Sequence, residues 1–576
     1  MISFLEVTAL LFLSSFNSNG LVSVLVLFFL AVDFMPAVAA QQSTNKWRHS
    51  FEMVPMRDGV KLATYIWFPK GDGPYPVVLI RTPYGGAGVI DWQTERLLEN
   101  GYCIVGQDPR GRFKSEGSAL AFMADGWGEH KDGVDTVEWI AKQPWCTGKV
   151  GTWGASGPGI TQMLMAGAAP PRLACQHIGI AAADLYHQAF FQGGELRLEL
   201  AIYWLQRNGY DMQAHAKLAM EHRLYDDFWR QVNLNEPDVH PNAPMLNWSG
   251  WYDIFSQGAI DAFIAGKHRG GPKARHDQIL IMGPWPHGIA KDFGQAHLPF
   301  EVLTPPMIDC LAYFDYYLKG IKNEVAKAKP VYYYTIGDIT DPECKLNRWR
   351  AADDWPVPCN YTPMYLHADG TMSFNKPAAD GKPRSFIYDP KNPVPTLGGN
   401  NLFLEKGPFD NRELEKRPDV LVYTSAPLTE DLEVTGRVKV KLFVSTSCTD
   451  TDFTAKLCDV YPDGRSFNVL DGIVRPRFRN GCTKDEPLHP GKVYEVEIDL
   501  WSTSWVFRKG HSIRLDVSSS NYPRFESNPN TGELFALSVD LNDPLKPNPN
   551  RRTIKARNTV YADAVHPSCV ILPVVK

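Results

Sequence analysis

The sequence predicts an α/β core, a helical region inserted into that core, and an all-β domain at the C-terminal end. Three observations predict this order. Short apolar runs alternate with helical patterns before residue 171. A segment rich in aromatic residues, with a helical pattern, follows. After about residue 345, apolar and polar residues alternate along the chain. The predicted boundaries are 45–170 and 244–345 for the two parts of the core, 171–243 for the helical cap, and 346–576 for the β domain.

The core prediction rests on strand-like runs separated by a helical pattern. Residues 77–80, 102–105 and 150–153 are apolar and rich in β-branched side chains, which suit buried strands. Between the last two runs, Val134 and Val137 fall on one helical face. Strands that alternate with helices indicate a mostly parallel sheet that is covered on both faces.

The segment 171–243 is predicted to be helical because it has few strand-like runs and many aromatic side chains mixed with charged ones. The strand pattern resumes at 245–248 and 278–282. Helices inserted between strands of an α/β domain form a natural cap over the active-site face. Packing of these helices elsewhere on the surface is the alternative.

A two-residue period predicts the β domain. Residues 437–444, 493–500 and 512–518 alternate between apolar and polar side chains, which is typical of strands with one buried and one solvated face. Frequent Pro, Gly and Asn turns separate these runs, which favours a sandwich or a jelly roll.

Composition narrows the function classes. The 576 residues carry a formal net charge of -5, and no basic stripe indicates a nucleic-acid partner. The ten cysteines are scattered without a C-x-x-C pair or a Cys/His cluster, so no metal site is predicted. A disulfide such as Cys344 to Cys359 is one interpretation of the cysteines, and buried free thiols are the other.

The N-terminal segment has the pattern of a secretory signal peptide. Residues 1–45 contain no Lys or Arg, 21–32 are apolar, and small residues around Ala39 and Ala40 form a cleavage site. We therefore expect residues 1–40 to be a signal peptide, the mature protein to be secreted or periplasmic, and no stable membrane span to remain after cleavage. The missing basic region leaves an uncleaved membrane anchor as the alternative.

A strand-like run leads to Ser156, which glycines surround, and a helical pattern follows. This is the pattern of a nucleophile elbow, a strained strand-to-helix turn that exposes a serine hydroxyl. Pro158 departs from the G-x-S-x-G pattern, but proline is tolerated in a first helical turn. It also leaves the Gly157 N–H free to stabilise an oxyanion. An ordinary glycine-rich turn is the alternative.

A serine nucleophile needs a base and an acid that orients the base, and in this fold they follow the serine in the order acid, then histidine. Asp253 and His287 meet this order, and each follows a strand-like run, where α/β sheets place their ligands. His276 and His297 lie in more polar stretches and are weaker candidates. The sequence therefore predicts a serine hydrolase.

Two further segments accompany the predicted triad. Residues 81–84 leave an early strand, in the region that often supplies a second oxyanion donor. Residues 107–117 follow the next strand, and we interpret them as a structural turn held by Asp108 and Arg110.

Eight ordered motifs carry a resemblance to a known family. They are R-T-P-Y (81–84), Q-D-P-R-G-R-F-K-S-E-G (107–117), G-x-S-G-P-G (154–159), G-W-Y-D-I-F (250–255), G-P-W-P-H (283–287), S-A-P-L (425–428), S-S-N-Y-P-R-F (519–525) and N-P-N-T-G (528–532). Together they resemble the CocE/NonD hydrolases, which include cocaine esterase, α-amino-acid ester hydrolases, glutaryl acylases and Xaa-Pro dipeptidyl-peptidases. The resemblance covers nearly all of 45–576.

The resemblance implies an α/β-hydrolase core, a helical cap and a C-terminal jelly roll of the galactose-binding-like type. It implies Ser156 as nucleophile, His287 as base and Asp253 as the orienting acid. It also implies that the Tyr84 hydroxyl and the Gly157 N–H form the oxyanion hole, and that no metal or organic cofactor is needed.

The same resemblance bears on the substrate. The amino-acid ester hydrolases carry acidic residues just after the catalytic Asp, whereas Phe255 and Ser256 stand there in this chain. Phe255 is similar to an aromatic residue that lines an acyl pocket. The expected partner is a small-molecule ester or amide, cleaved by an esterase or acylase. Xaa-Pro dipeptidyl-peptidase activity is the alternative, and a non-catalytic carbohydrate-binding protein is a distant one.

Overall fold

The computed structural model describes residues 46–533, 539–540, 543–547 and 550–575. The predicted signal peptide lies outside these residues. Within them the chain forms two large sheets, one in the N-terminal part and one in the C-terminal part. This arrangement confirms the predicted α/β core with a C-terminal all-β domain.

The first sheet has ten strands and forms the core of the N-terminal part. Its interior strands, from Cys103–Gln107 to Val331–Thr335, run parallel, and antiparallel strands close both edges. In spatial order the strands are Arg48–Pro55, Lys61–Phe68, Cys103–Gln107, Tyr75–Arg81, Cys146–Ala155, Leu173–Gly179, Met245–Gly250, Gln278–Gly283, Val331–Thr335 and Arg348–Ala352.

Helices cover both faces of this sheet, so interior strands such as Cys103–Gln107, Met245–Gly250 and Gln278–Gly283 are buried along nearly their whole length rather than at alternate residues. Asp91 caps the first helix by accepting from the Thr94 N–H, and the Thr94 hydroxyl accepts in return from the Asp91 N–H. The helices of the core are Trp92–Glu99, Asp132–Ala141, Gly157–Gly167, Ser256–Ile264 continued by Ala265–Arg269, Phe300–Leu303, Cys310–Phe314 continued by Asp315–Lys319, and Glu324–Lys327.

The helical cap begins later than the sequence predicts. Leu173–Gly179, inside the predicted cap, is a strand of the central sheet between Cys146–Ala155 and Met245–Gly250. Gln176 and His177 interrupt its apolar character, and both are buried with hydrogen bonds to backbone carbonyls. The cap that follows contains Leu185–Phe190, Leu198–Tyr203, Trp204–Arg207, Met212–Glu221 and Asp227–Arg230, with the short strands Phe191–Gln192 and Glu195–Leu196.

The second sheet has eleven strands and forms the jelly roll. Its path is Arg384–Tyr388, Ala556–Tyr561, Leu432–Thr446, Cys569–Val574, Asn360–Leu366, Thr371–Ser373, Leu421–Ser425, Ser512–Ser518, Phe453–Val460 and Ser466–Val474, with Tyr494–Phe507 paired to Leu432–Thr446. The helices Arg412–Glu415 and Pro476–Phe478 and the short strands Asp292–Phe293, Ala296–His297, Val539–Asp540 and Asp543–Pro547 complete the described elements.

The two sheets share one apolar core. Trp251 and Tyr252 of the α/β core are buried in the same cluster as Val434 and Trp505 of the β domain. The Trp251 indole donates to the Tyr334 carbonyl at 2.7 Å. The β domain is therefore packed against the hydrolase core through a continuous interior.

All ten cysteines lie within the described residues and carry free thiols, in agreement with the second interpretation of the cysteines. Nine are buried, and Cys359 is half-buried. In the described part of the chain, no helix has both the length and the apolar character needed to cross a bilayer.

A buried ionic group joins the cap to the β domain. Asp450 has no exposed surface and accepts from Arg475 at 2.5 Å and from Arg477 at 2.9 Å. Arg475 also lies 3.4 Å from Glu195 of the cap. Two guanidinium groups thus share one buried carboxylate within the β domain, and the Arg475–Glu195 pair extends this group across the domain boundary.

We expect Asp450→Asn to lower the free energy of unfolding by about 3–5 kcal/mol, because removing one partner of a buried ionic group leaves uncompensated charge. Chemical denaturation followed by tryptophan fluorescence measures the effect. Asp463→Asn is the control, since Asp463 pairs with Arg465 at the surface and an exposed pair contributes little. Equal midpoints for the two variants would contradict the prediction.

Candidate active site

Ser156 lies in a strained turn between strand Cys146–Ala155 and helix Gly157–Gly167. Its φ of 60° and ψ of -125° are uncommon for a residue with a side chain. The strain lifts the hydroxyl away from the sheet, as a nucleophile elbow requires. The structure therefore forms the elbow that the sequence predicts.

Close backbone approach explains the glycines around this serine. A Cβ on Gly154 would lie 2.4 Å from the Pro158 Cβ, and its φ of 147° is unfavourable for other residues. A Cβ on Gly159 would lie 2.6 Å from the Gly179 carbonyl oxygen. The helix can start directly beside the sheet only because these positions lack side chains.

The sheet brings the predicted histidine and aspartate to Ser156. His287 Nε2 lies 2.9 Å from Ser156 Oγ, and His287 Nδ1 lies 3.0 Å from Asp253 Oδ1. Because a carboxylate only accepts, Nδ1 carries the proton and Nε2 is free to accept the serine proton. The three side chains thus form one continuous chain of hydrogen bonds.

The Asp253 carboxylate has no exposed surface, so other donors must satisfy it. Ser249 Oγ donates to Oδ2 at 2.9 Å, and the Phe255 N–H donates to Oδ1 at 2.8 Å. With His287 Nδ1–H as the third donor, the carboxylate is held in one orientation. Ser249 is a site residue that sequence reasoning missed, although it lies four positions before the aspartate.

Tyr84 and Gly157 converge beside the serine. The Tyr84 hydroxyl lies 3.3 Å from Ser156 Oγ and accepts from the Gly157 N–H at 3.2 Å. The tyrosine is 39% exposed, but burial around its hydroxyl raises the pKa of the phenol. It therefore stays protonated and able to donate. The hydroxyl and the N–H thus lie beside the nucleophile, where the predicted oxyanion hole requires its donors.

An apolar pocket opens at Ser156. Phe255 lines it and lies edge-on to the His287 ring at 5.9 Å. None of the described residues that line it is charged. The lining residues are Tyr84, Ala121, Phe122, Ser156, Gly157, Ile160, Leu185, Ala189, Phe190, Leu200, Ala201, Trp204, Leu205, Ile254, Phe255 and Leu402.

The pocket has walls from all three parts of the chain. Trp204 of the cap packs against Tyr84 at 6.2 Å and Phe122 at 5.5 Å between ring centroids. The cap therefore covers the active-site face, as predicted from its place in the sequence. Leu402 comes from the β domain and was not predicted, because no local pattern marks a residue that enters a pocket from so far along the chain.

The turn at 107–117 is structural, and Arg110 and Asp108 both take part in holding it. Arg110 pairs with Asp132 and Asp58 at 2.7 Å each, not with Asp108. The Asp108 carbonyl instead accepts from the Ser115 hydroxyl at 2.6 Å. The partners of Arg110 are distant in sequence, so the spacing within the motif could not reveal them.

One group in the described part of the chain is close enough to hold a metal ion, namely Glu415, Cys458 and Asp516 of the β domain. Arg514 already pairs with Glu415, and Lys456 lies opposite Asp516 on the neighbouring strand. None of the three lines the pocket.

The elbow, the hydrogen-bonded Ser–His–Asp chain and the sheet together define a serine hydrolase with an α/β-hydrolase core. Residues 58–220 and 206–289 match the X-Pro dipeptidyl-peptidase (S15 family), and residues 323–571 match the X-Pro dipeptidyl-peptidase C-terminal non-catalytic domain. The chain is 34% identical to cocaine esterase from Rhodococcus sp. (strain MB1 Bresler) over 91% of its own length and 98% of that protein. The chain belongs to the CocE/NonD family of hydrolases.

Two solved structures share this architecture over nearly the whole chain. An α-amino acid ester hydrolase is 26% identical, with a TM-score of 0.78, and the match covers 95% of this chain and 100% of that one. An aminopeptidase from a marine sediment archaeon, Thaumarchaeota archaeon, is 25% identical, with a TM-score of 0.77 and coverage of 95% and 99%.

We expect Gly157→Ala to lower kcat by about 10²-fold, the effect of disturbing one oxyanion donor. Its Cβ would lie 2.8 Å from both the Tyr84 hydroxyl and the Pro83 ring, so the tyrosine must move away from Ser156. Steady-state kinetics with an aryl ester measures the loss. Gly86→Ala is the control, because a Cβ there meets nothing within 4 Å and should leave kcat unchanged. Equal activity of both variants would refute the clash.

Proposed function

We propose that the chain hydrolyses ester bonds of small, uncharged acyl substrates through an acyl-enzyme on Ser156. One observation carries the proposal: the hydrogen-bonded chain Ser156–His287–Asp253 opens into an apolar pocket without a charged residue in its described lining. Such a pocket accepts an apolar acyl group and provides no counter-charge for an ionised one.

In the first half of the reaction His287 Nε2 takes the proton of Ser156 as Oγ attacks the ester carbonyl carbon. The new C–O bond gives a tetrahedral oxyanion. When it collapses, the C–O bond to the alcohol breaks, and His287 returns the proton to the leaving alcohol. Asp253 keeps Nδ1 protonated and stabilises the imidazolium charge between these steps.

In the second half His287 removes a proton from water, which attacks the acyl carbon. The bond to Ser156 Oγ then breaks, the serine recovers its proton and the carboxylic acid leaves. The Tyr84 hydroxyl and the Gly157 N–H stabilise the oxyanion in both halves. The support for this role is that the Tyr84 hydroxyl lies 3.3 Å from Ser156 Oγ, and that the Gly157 N–H, 3.2 Å from the same hydroxyl, belongs to the residue directly after the nucleophile.

Xaa-Pro peptide cleavage is the second candidate, supported by the matched S15 family and by the archaeal aminopeptidase. An aminopeptidase must hold the ammonium group of its substrate, usually with a carboxylate. Phe255 and Ser256 follow the Asp253–Ile254 pair where such a carboxylate would be needed, and both are buried and uncharged. The pocket therefore favours the ester.

A three-substrate panel tests the proposal. We expect an aryl ester to be hydrolysed with a kcat/KM above those for a glutaryl amide and an Ala-Pro anilide, and Ser156→Ala to abolish turnover. A fluorophosphonate probe should modify Ser156 in the wild-type protein, with peptide mapping as the readout. Preference for the Ala-Pro anilide would replace the esterase with a peptidase, and an unmodified Ser156 would overturn the mechanism.

We expect Tyr84→Phe to lower kcat by about 10²–10³-fold with little change in KM, because the hydroxyl stabilises charge only in the transition state. The ring stays in place, so its contact with Trp204 is kept. Tyr203→Phe is the matched control, since Tyr203 is in the cap and is absent from the pocket lining. A rise in KM with an unchanged kcat would assign Tyr84 to substrate binding instead.

A further inference from the structure

The loop 398–407 belongs to the β domain but reaches the active site. Gly399 and Gly407 exchange two backbone hydrogen bonds across it, at 2.8 and 3.0 Å. The Asn401 side chain donates to two carbonyls of the loop, at 2.9 and 2.6 Å. The backbone just beyond the loop donates to Asn468 Oδ1, on a strand of the second sheet, at 2.7 Å. The loop is therefore fastened to itself and to the β domain.

Asn400 connects this loop to the turn that carries Asp253. Its side chain is 4% exposed, and its amide donates to the Asp253 carbonyl at 2.8 Å and to the Trp251 carbonyl at 3.1 Å. A longer contact of 3.4 Å reaches Ser256 Oγ. The amide thus donates to the carbonyl of Asp253 itself and to the carbonyl two residues before it.

The cap holds the same turn from another side. The buried Arg197 guanidinium donates through Nη1 to the Ile254 carbonyl at 3.0 Å, and also to the Gln188 carbonyl. Buried carbonyls in a turn need such partners, because no neighbouring strand supplies them. Side chains from outside the core therefore satisfy the carbonyls of the acid turn.

The next residues of the loop form a wall of the pocket. The buried carboxylate of Glu199, in the cap, accepts with one oxygen from the N–H groups of Leu402 at 2.9 Å, Phe403, and Leu404 at 3.1 Å. Three consecutive N–H groups around one anion fix the backbone of the loop. Leu402 lines the pocket, so this contact sets the position of its side chain.

We propose that the β domain positions the catalytic centre through this loop: Asn400 is a positioning residue for Asp253, and Glu199 sets the pocket wall through Leu402. The inference rests on the proposed hydrolysis at Ser156. It assigns the two residues different kinetic effects, because Asn400 acts on the orientation of the base and Glu199 acts on the space for the acyl group.

For Asn400→Ala we expect kcat to fall by about 10–10²-fold, the effect of a displacement of about 1 Å in a catalytic group. KM should change little, since the pocket lining is kept. The rate at which a small fluorophosphonate modifies Ser156 should fall by the same factor as kcat. Asn400→Ser, which keeps a donor and removes less volume, should fall between the wild type and Asn400→Ala.

Asn347→Ala is the matched control. Asn347 is as buried as Asn400, at 4% exposed, and its amide also donates to two backbone carbonyls, those of Asp338 at 2.6 Å and Asp341 at 3.1 Å. Neither carbonyl belongs to the loop or to the turn around Asp253. We expect a similar loss of thermal stability with a wild-type kcat per folded molecule. Wild-type kcat in both Asn400 variants, or an equal kcat loss in Asn347→Ala, would overturn the positioning role. If Asn400→Ala does not fold, Asn400→Ser decides the question.

The variant Glu199→Gln tests whether Glu199 sets the position of the pocket wall through Leu402. The amide keeps an acceptor but loses the charge that holds three N–H groups, so Leu402 should shift. We expect KM for a bulky aryl ester to rise about tenfold, the scale of a methylene-sized change in a pocket. The fluorophosphonate rate at Ser156 should stay at the wild-type value. A lowered modification rate with an unchanged KM would contradict the assignment.

Failure of the proposed function can be recognised separately, because modification of Ser156 by a small fluorophosphonate does not depend on the natural substrate. A wild-type protein that is modified but hydrolyses no ester of the panel refutes the proposed substrate class. The ratio of modification rates between wild type and Asn400→Ala still tests the positioning role in that case.

Discussion

The arrangement of this protein depends on a buried negative charge. The Asp253 carboxylate has no exposed surface, and a charge removed from water must be met by donors at close range. Ser249, the Phe255 N–H and His287 supply them at 2.8–3.0 Å. Because the imidazole is one of the three donors, the hydrogen bond that helps to satisfy the carboxylate also orients the base. The turn around Asp253 must then be held as firmly as the carboxylate.

The sheet explains why three residues separated by long stretches of chain meet at all. Ser156, Asp253 and His287 each follow the carboxyl end of a parallel strand, and those ends lie along one edge of the sheet. Gly154 and Gly159 let the helix after Ser156 approach that edge, at the cost of a strained serine. The apolar cap covers part of the site and reduces its contact with water, which strengthens the hydrogen bonds there.

The sequence predicts the site residues that follow a local pattern, but not those that act on residues far away in the chain. The elbow, the aspartate and the histidine follow strand ends, so pattern and chain order were enough to find them. Strand Leu173–Gly179 falls inside the predicted cap, because the polar residues Gln176 and His177 interrupt the apolar run by which a buried strand is predicted. Asn400, Glu199 and Leu402 carry no pattern, since each acts on residues more than a hundred positions away. Only the packing of the domains brings them to the site.

The β domain matches a domain described as non-catalytic, and the hydrogen bonds of Ser156 Oγ within the described residues go to Tyr84 and His287, which are both outside it. The shared core of Trp251, Tyr252, Val434 and Trp505 nevertheless makes the two sheets one interior. A turn that carries a buried charge is held less rigidly when its outer side faces water, because mobile solvent then replaces fixed donors at its carbonyls. Covering that turn with a second domain provides both the apolar seal and the amide donors. The jelly roll thus supports the turn around Asp253, and this role does not require the domain to bind a ligand of its own.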